Sequence, residues 1–333
     1  MSTADLPKLM KAWQYSTATG GIQNHLVLND SVALPTLSSR LGDAELLVRV
    51  LSASINPADY KVPSGRRCAC RDPHPAYSGD GFWRPRRAGY AYLFGRIDAQ
   101  QHGTCAEYVV VPTKACARVP DGVSVDEAAA IGVAGITAYQ TISPNVKPGD
   151  KVFLNGGSGG TGTFGIQIAK ARGCHVTVSC SPAKADLCRS LGADEIIDYT
   201  AVDVSQALKA KGQIFALVVD NVGAPENLYK AADDFLLPHG KFVQVGGSVS
   251  LSSAKTIASR LLIPSFLGGG KNKYELYTIK HGPEDLKQLG QWVAEKKIKV
   301  VVEETFEMED LPKAFEKLRE GRNAGKLVIH IGK

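Results

Sequence analysis

The spacing of apolar positions changes once along the chain, and that change divides it. Lys11–Tyr15, Leu46–Ile55 and Thr104–Val111 interleave aromatic or β-branched residues with polar ones, the pattern of strands with one buried face, and Pro35, Pro57 and Pro112 break them. Asp126–Thr141 is Ala-rich with helical spacing, Lys151–Leu154 reads as a short buried strand, and Thr163–Arg172 is an amphipathic helix ended by Gly173. Strands at His175–Cys180, Glu195–Ile197, Leu217–Asp220 and Lys241–Val245 then alternate with helices at Ala185–Leu191 and Val204–Ala210, the rhythm of a parallel sheet. Lys299–Phe306, Leu311–Glu320 and Lys326–Ile331 close the chain as strand, helix, strand, and no segment repeats another. The expected fold class is α/β, a β-rich region joined to a doubly wound sheet.

With 333 residues, 44% of them hydrophobic and 22% charged, the chain can bury a full core, and its length suits two domains. No apolar run is long enough to span a bilayer, and Met1–Leu9 lacks an apolar signal core, so a cytoplasmic protein with no membrane partner is expected. The seven cysteines are odd in number and mostly lie in apolar segments, where a buried free thiol is the usual state. The formal charge of +6 does not point to nucleic acid, because seven arginines and two aspartates between Ser64 and Arg96 supply most of it.

The strongest chemical signal follows the strand Val152–Leu154. Gly157-Ser158-Gly159-Gly160-Thr161-Gly162 is a G-x-G-x-x-G between a strand and a helix, and Gly165 allows close helix packing. Without Cβ atoms the backbone can turn tightly and approach a pyrophosphate, whose charge meets free N–H groups at the helix start. NAD sites carry an acid at the end of the next strand, roughly 20 residues beyond the glycines, to bind the ribose 2′-hydroxyl. Here His175–Cys180 runs instead into Ser181-Pro182-Ala183-Lys184. Hydroxyls and a cation suit a 2′-phosphate, so NADP is the expected cofactor. Lys184 also reads as a solvated residue at a helix start.

Several segments together carry a family resemblance: Ser54-Ile55-Asn56-Pro57-Ala58-Asp59-Tyr60-Lys61, Gly135-Ile136-Thr137-Ala138-Tyr139, the glycine turn, Leu191-Gly192-Ala193-Asp194 and Asp220-Asn221-Val222-Gly223. From Lys11 to Ile331 the chain resembles the medium-chain dehydrogenase/reductases, and within them the zinc-free quinone oxidoreductase and enoyl reductase branch. The resemblance implies a GroES-like β-rich catalytic domain, residues 1–132 with 290–333, around a Rossmann domain at 133–289. It further implies an oxidoreductase that passes hydride from NADPH to a quinone or an α,β-unsaturated carbonyl. A small-molecule substrate is the expected partner, and a homodimer the assembly considered.

Zinc-dependent members of that superfamily have a cysteine at the position of Asn56, a Gly-His-Glu farther on, and four closely spaced cysteines for a structural ion. This chain lacks all three, and Cys68 and Cys70 have no partner pair, so no metal is expected. The same resemblance sets Asn56, Asp59, Tyr60 and Lys61 beside the nicotinamide. Tyr60 or Lys61 then serves as proton donor or holds the carbonyl oxygen, with Asn56 as the third catalytic candidate. Thr137, Asn221, Val245, Gly246 and Asn323 correspond to nicotinamide or ribose contacts, and Tyr199 to a residue near the adenosine end. Ser158, Gly159, Gly160, Thr161, Gly162, Ser181 and Lys184 complete the cofactor set. The Asn-Pro-x-Asp segment also reads as a turn that merely ends a strand.

One window departs from the family. Where Pro-Gly-x-Asp-Phe-x-Gly and a Val-rich strand should follow, the chain has His74-Pro75-Ala76-Tyr77-Ser78-Gly79-Asp80-Gly81-Phe82-Trp83-Arg84-Pro85-Arg86-Arg87, with no strand pattern. Shifting its codons by one nucleotide permits TPPIPGTDFGGRVV, which restores the pattern, so residues 64–93 read as a frame error. A natural arginine-rich loop is the other reading. Two functional classes follow: an active reductase, or a dinucleotide-binding protein whose catalytic half is impaired or serves partners.

Overall fold

The computed structural model describes residues 6–15, 21–35, 45–61, 76–77, 89–91, 103–247, 272–280 and 282–332. The chain divides into two units, Met1–Ile136 with Lys280–Lys296 and Val300–Lys333, and Thr137–Ile279 with Lys297–Lys299. These boundaries differ from the expected 132/133 and 289/290. The helix Pro283–Ala294, which the apolar pattern did not single out, packs on a strand of the first unit.

In the first unit, Leu9–Tyr15 (β1) pairs antiparallel with Leu26–Ala33 (β2), whose Asn29-Asp30-Ser31 hid it from pattern reading. The long strand Glu45–Ile55 (β3) ends at Asn56, which leads into the short helix Pro57–Lys61 (α1). Ala76–Tyr77 (β4) pairs with β3, and Gly89–Ala91 (β5) pairs with β4 and with Cys116–Arg118 (β7). The stretch His74–Arg87, read as having no strand pattern, therefore contains the short strand β4, and β5 follows it within residues 64–93. Backbone ladders need no alternation of side chains, which is why the pattern missed them. The rest of residues 64–93, with Cys68 and Cys70, lies outside the described residues. The strand expected at Thr104–Val111 is Tyr108–Pro112 (β6), because residues before it are tied to β1: Trp13 N–H donates to Cys105 O at 2.9 Å and Glu107 N–H to Lys11 O at 3.0 Å. Cys105 is disulfide-bonded, against the free thiol expected, since burial alone does not separate the two states. Cys116, Cys174, Cys180 and Cys188 are free.

The helix Val125–Ile142 (α2) carries the chain onward and kinks at Gly132. Its first turns are pinned to the sheet of the first unit. Ser52 Oγ donates to Asp126 Oδ1 at 2.8 Å, Ser54 Oγ donates to Ala129 O at 2.8 Å, and His330 Nε2 lies 3.1 Å from Asp126 Oδ2.

The second unit holds a six-stranded, all-parallel sheet. Lys151–Asn155 (β8), His175–Cys180 (β9), Glu195–Asp198 (β10), Phe215–Asp220 (β11), Leu236–Gln244 (β12) and Lys273–Leu276 (β13) are arranged β10-β9-β8-β11-β12-β13. The order reverses between β8 and β11, the topological switch point at which doubly wound sheets bind ligands. Gly160–Ala171 (α3), Ala185–Ser190 (α4) and Val204–Lys209 (α5) follow the first three strands. β12 starts earlier than its apolar pattern, passing through Pro238 and Gly240, and the ladder with β11 shifts register there. Phe153, Phe215, Phe235 and Phe242 are fully buried around it, with Tyr229 edge-on to Phe242 at 5.2 Å.

The chain then returns to the first unit as Val302–Glu307 (β14), the helix Leu311–Glu320 and Lys326–His330 (β15). β14 starts three residues after the expected Lys299, because Gln167 holds that segment: Lys299 N–H donates to Gln167 Oε1 at 2.7 Å. β15 pairs parallel with β14 and antiparallel with the second half of β3. Trp13, Ile22, Val50, Ile55, Phe315 and Leu327 fill this core, and Trp13 Nε1 donates to Met308 O at 2.7 Å. The chain thus joins a GroES-like unit to a Rossmann unit. Among the described residues no helix is long and apolar enough to cross a membrane.

Candidate functional site

The glycine turn sits where β8 ends. Asn155 is the last residue of β8, Gly156 takes φ +82°, and α3 begins at Gly160 with Gly159 as its N-cap. The helix starts three residues before the apolar pattern signalled, because the glycines bury no side chain that could report it. A Cβ on Gly162 would collide with the Gly156 carbonyl oxygen and lie 2.6 Å from Gly157 O. One on Gly157 would lie 2.6 Å from Val178 Cβ. The missing side chains therefore let α3 start directly over β8 and β9, with its first N–H groups at the sheet's C-terminal edge. Gly165 packs in the same way, since an added Cβ would lie 3.2 Å from Ile142 Cδ1 and Leu154 Cδ1.

A buried polar network fixes this edge. Asp220, 2% exposed, ends β11 opposite Asn155. Its Oδ1 accepts from Asn155 Nδ2 at 2.8 Å, Val222 N at 3.0 Å and Gly223 N at 2.8 Å, and its Oδ2 accepts from Gln244 Nε2 at 3.3 Å. Ser179 Oγ donates to Asn155 Oδ1 at 2.6 Å and accepts from Gly156 N at 2.8 Å. Four strand ends are thereby tied to the first residue of the turn. Sequence reading singled out Asp220 only as part of a motif and missed Asn155, Ser179 and Gln244. A polar residue at or next to the end of each of these four strands was the available signal.

The loop after β11 packs backbone to backbone on the loop after β12. Val245 and Gly246 both donate N–H to Asp220 O at 2.9 Å, and a Cβ on Gly246 would overlap the Asn221 carbonyl. Asn221 Oδ1 is buried without a hydrogen-bond partner among the described residues. Such an orphan acceptor, with the glycine cradle, fits a dinucleotide whose carboxamide can donate to it. Beyond β9, Ser181 begins a single 3₁₀ turn that ends at Lys184, and no acid follows Cys180 directly. Asp198, in register with Cys180 on β10, accepts from Thr200 N at 2.9 Å and Thr200 Oγ1 at 2.7 Å. Tyr199 is 56% exposed. Thr137 is buried in α2, its carbonyl accepting from Thr141 Oγ1 at 2.7 Å.

In the first unit, the segment at the end of β3 is built on charge. Asp59 Oδ2 accepts from Asn56 N at 2.6 Å, and Asn56 Oδ1 accepts from Lys326 Nζ at 2.6 Å. Tyr60 and Lys61 are half-buried on α1. Burial raises the Tyr60 pKa, the Arg319 charge drawing it part of the way back, and burial lowers that of Lys61. Asn323 Nδ2 donates to Gly325 O at 3.0 Å, and Ala324 N–H donates to Glu303 Oε2 at 2.9 Å. Lys326 is the residue sequence reading missed here.

These parts define a nicotinamide-dependent oxidoreductase. A family model for zinc-binding dehydrogenases matches residues 191–329. The trans-enoyl reductase pgmF of Aspergillus terreus is 42% identical over 348 residues, covering 98% of this chain and 97% of that protein. The human mitochondrial NAD(P)H oxidoreductase RTN4IP1 is 30% identical, covering 86% of this chain and 82% of its own. Among solved structures, the quinone oxidoreductase from Coxiella burnetii superposes with a TM-score of 0.79 at 26% identity, covering 98% of this chain and 100% of its own. The chain belongs to the medium-chain dehydrogenase/reductase superfamily, in its quinone oxidoreductase and enoyl reductase branch.

Proposed function

We propose that this protein is an NADPH-dependent, zinc-independent reductase that delivers hydride to a quinone or to the conjugated C=C of an α,β-unsaturated carbonyl. The observation that carries the cofactor choice is the turn after β9, Ser181 to Lys184, with no acid directly after Cys180. A carboxylate there would favour a 2′-hydroxyl and repel a 2′-phosphate; a hydroxyl and an ammonium do the reverse.

NADPH supplies the hydride when bound. The chain's own tasks are division of charge and delivery of a proton. Ser158, Gly159, Gly160, Thr161 and Gly162 offer N–H groups to the pyrophosphate, and Ser181 and Lys184 take the 2′-phosphate. Asn221 Oδ1 would accept from the carboxamide, while Thr137, Val245, Gly246, Asn323 and Tyr199 would serve nicotinamide, ribose and adenosine. Tyr60 and Lys61 stabilise the oxyanion that develops on the substrate carbonyl and return a proton. A lowered pKa makes the Lys61 ammonium a readier donor near neutral pH, and a raised one keeps the Tyr60 phenol protonated. Asn56 is a neutral amide already bonded to an ammonium, a poor ligand for a dication. The zinc-binding dehydrogenase match begins at residue 191 and does not include Asn56. Cytoplasmic residence and a homodimer belong to the same reading; the human relative is a mitochondrial protein.

A second reading, nucleotide binding with an impaired catalytic half, draws on the departure of residues 64–93 from the family pattern. It also draws on the alignment with the Aspergillus relative, which is longer than this chain, so that relative carries residues lacking here.

The cofactor assignment is tested by fluorescence titration. NADPH should bind at least about tenfold more tightly than NADH, the scale of one or two charge-assisted hydrogen bonds, and Lys184→Ala should narrow the gap several-fold. Equal affinity for the two nucleotides, or an unchanged preference in the variant, would reject it.

A further inference from the structure

Lysine is rarely buried without a purpose in packing or chemistry. Lys326 opens β15 at 3% exposure, in a run that continues Leu327-Val328-Ile329. Its Nζ donates to Ile55 O at 2.8 Å and to Asn56 Oδ1 at 2.6 Å. Those acceptors are the last residue of β3 and the residue that begins the turn into α1. The Asp59 carboxylate, 2% exposed, acts on the same ammonium and accepts the Asn56 N–H at 2.6 Å. One buried cation thus bonds a strand-end carbonyl and a side-chain amide beside a buried carboxylate, all within the residues just before Tyr60 and Lys61.

We propose that Lys326 is a positioning residue for the reduction, its ammonium locking the Asn56–Asp59 turn so that α1 presents Tyr60 and Lys61 in one fixed orientation. This rests on the reductase reading for its kinetic consequence, but not for its structural one. The charge matters because the ammonium serves both carbonyl-type acceptors with charge-assisted bonds and offsets the buried Asp59 carboxylate that holds the Asn56 N–H, which a neutral amine would leave uncompensated. Burial pulls the Lys326 pKa down to about 8, with Asp59 opposing. The described carboxylates of β14 are engaged elsewhere: Glu303 accepts from Ala324 N–H, Glu304 pairs with Lys317, and Glu307 faces His330. As pH rises through about 8 the turn should therefore loosen. Stability runs the other way. A folded pKa below the ordinary lysine value means the buried charge costs stability at and below about pH 8, a cost that fades as pH rises toward the unfolded value. Loss of turnover on that limb would thus not be unfolding driven by this group.

The experiment compares wild type, Lys326→Met, Lys326→Arg and the double variant Asp59→Asn/Lys326→Met by amide hydrogen exchange and by NADPH-dependent quinone reduction. Exchange over Asn56–Lys61 should quicken about tenfold or more in Lys326→Met and in the double variant, while residues 151–180 keep their protection. Lys326→Arg should retain part of it. With quinone, kcat should fall about tenfold, the KM for NADPH should hold, and the alkaline limb near pH 8 should vanish. If the double variant restores both turn protection and turnover, Lys326 merely neutralises Asp59 and the proposal is overturned. It is likewise overturned if Lys326→Met exchanges like wild type. If exchange responds as expected but wild type reduces no quinone or enone, the positioning holds and the reductase reading fails.

Discussion

Gly162→Val is expected to weaken NADPH binding by more than about a hundredfold, because the turn would have to open to admit a side chain and the N–H groups of α3 would no longer converge. An added Cβ would collide with Gly156 O and stand 2.6 Å from Gly157 O. Neither atom is a flexible side-chain end, so relief requires α3 to move off β8. Gly159→Ala is the control. Its φ of −74° is ordinary for any residue, and the nearest atom to an added Cβ is Gly156 O at 3.8 Å. That variant should melt like wild type and lose affinity only as far as its methyl blocks close approach of the pyrophosphate. Fluorescence titration with far-UV circular dichroism checks both. A folded Gly162→Val protein with wild-type affinity would show that this turn is not the phosphate cradle.

Asp220→Ala is expected to cost about 3 kcal/mol or more of stability, measured by urea unfolding, and to weaken NADPH binding as well. Four donors converge on the carboxylate, from Asn155, Val222, Gly223 and Gln244; removal leaves the Val222 and Gly223 N–H groups without this acceptor, while Asn155 and Gln244 each keep one other, Ala224 O and Gly246 O. Asn155 then keeps only its bond to Ala224 O, which loosens its hold on the Ser179 hydroxyl that receives the Gly156 N–H. Asp220→Asn keeps an acceptor at one oxygen and should lose roughly half as much. Wild-type stability in Asp220→Ala would mean that the network relaxes onto other partners.

What sequence reading could see depended on how local each cause was. β9 and the helix Leu311–Glu320 have the expected bounds, since one face of each is continuously apolar and a proline or glycine marks an end. β2 has polar residues in mid-strand and β12 has Pro238 and Gly240, so neither announces itself by alternation. The glycine turn was legible because its chemistry lies in six consecutive residues. The Asp220–Asn155–Ser179 network was not, because three strands must first lie side by side before their last polar residues meet. Lys326 and Asn56 are 270 residues apart and join only when β15 pairs with β3. A lysine directly before Leu327-Val328-Ile329 was the one local hint.

The most direct test of the whole account is a steady-state assay of the chelator-treated protein with NADPH and either 9,10-phenanthrenequinone or a simple enone, following nicotinamide absorbance and reduced product together. The expected result is stoichiometric NADPH oxidation and product formation, far slower with NADH, and unaffected by added zinc. Turnover that appears only on zinc addition, or NADPH binding with no reduction of either substrate class, would contradict it, the latter outcome leaving a dinucleotide-binding protein with an impaired catalytic half.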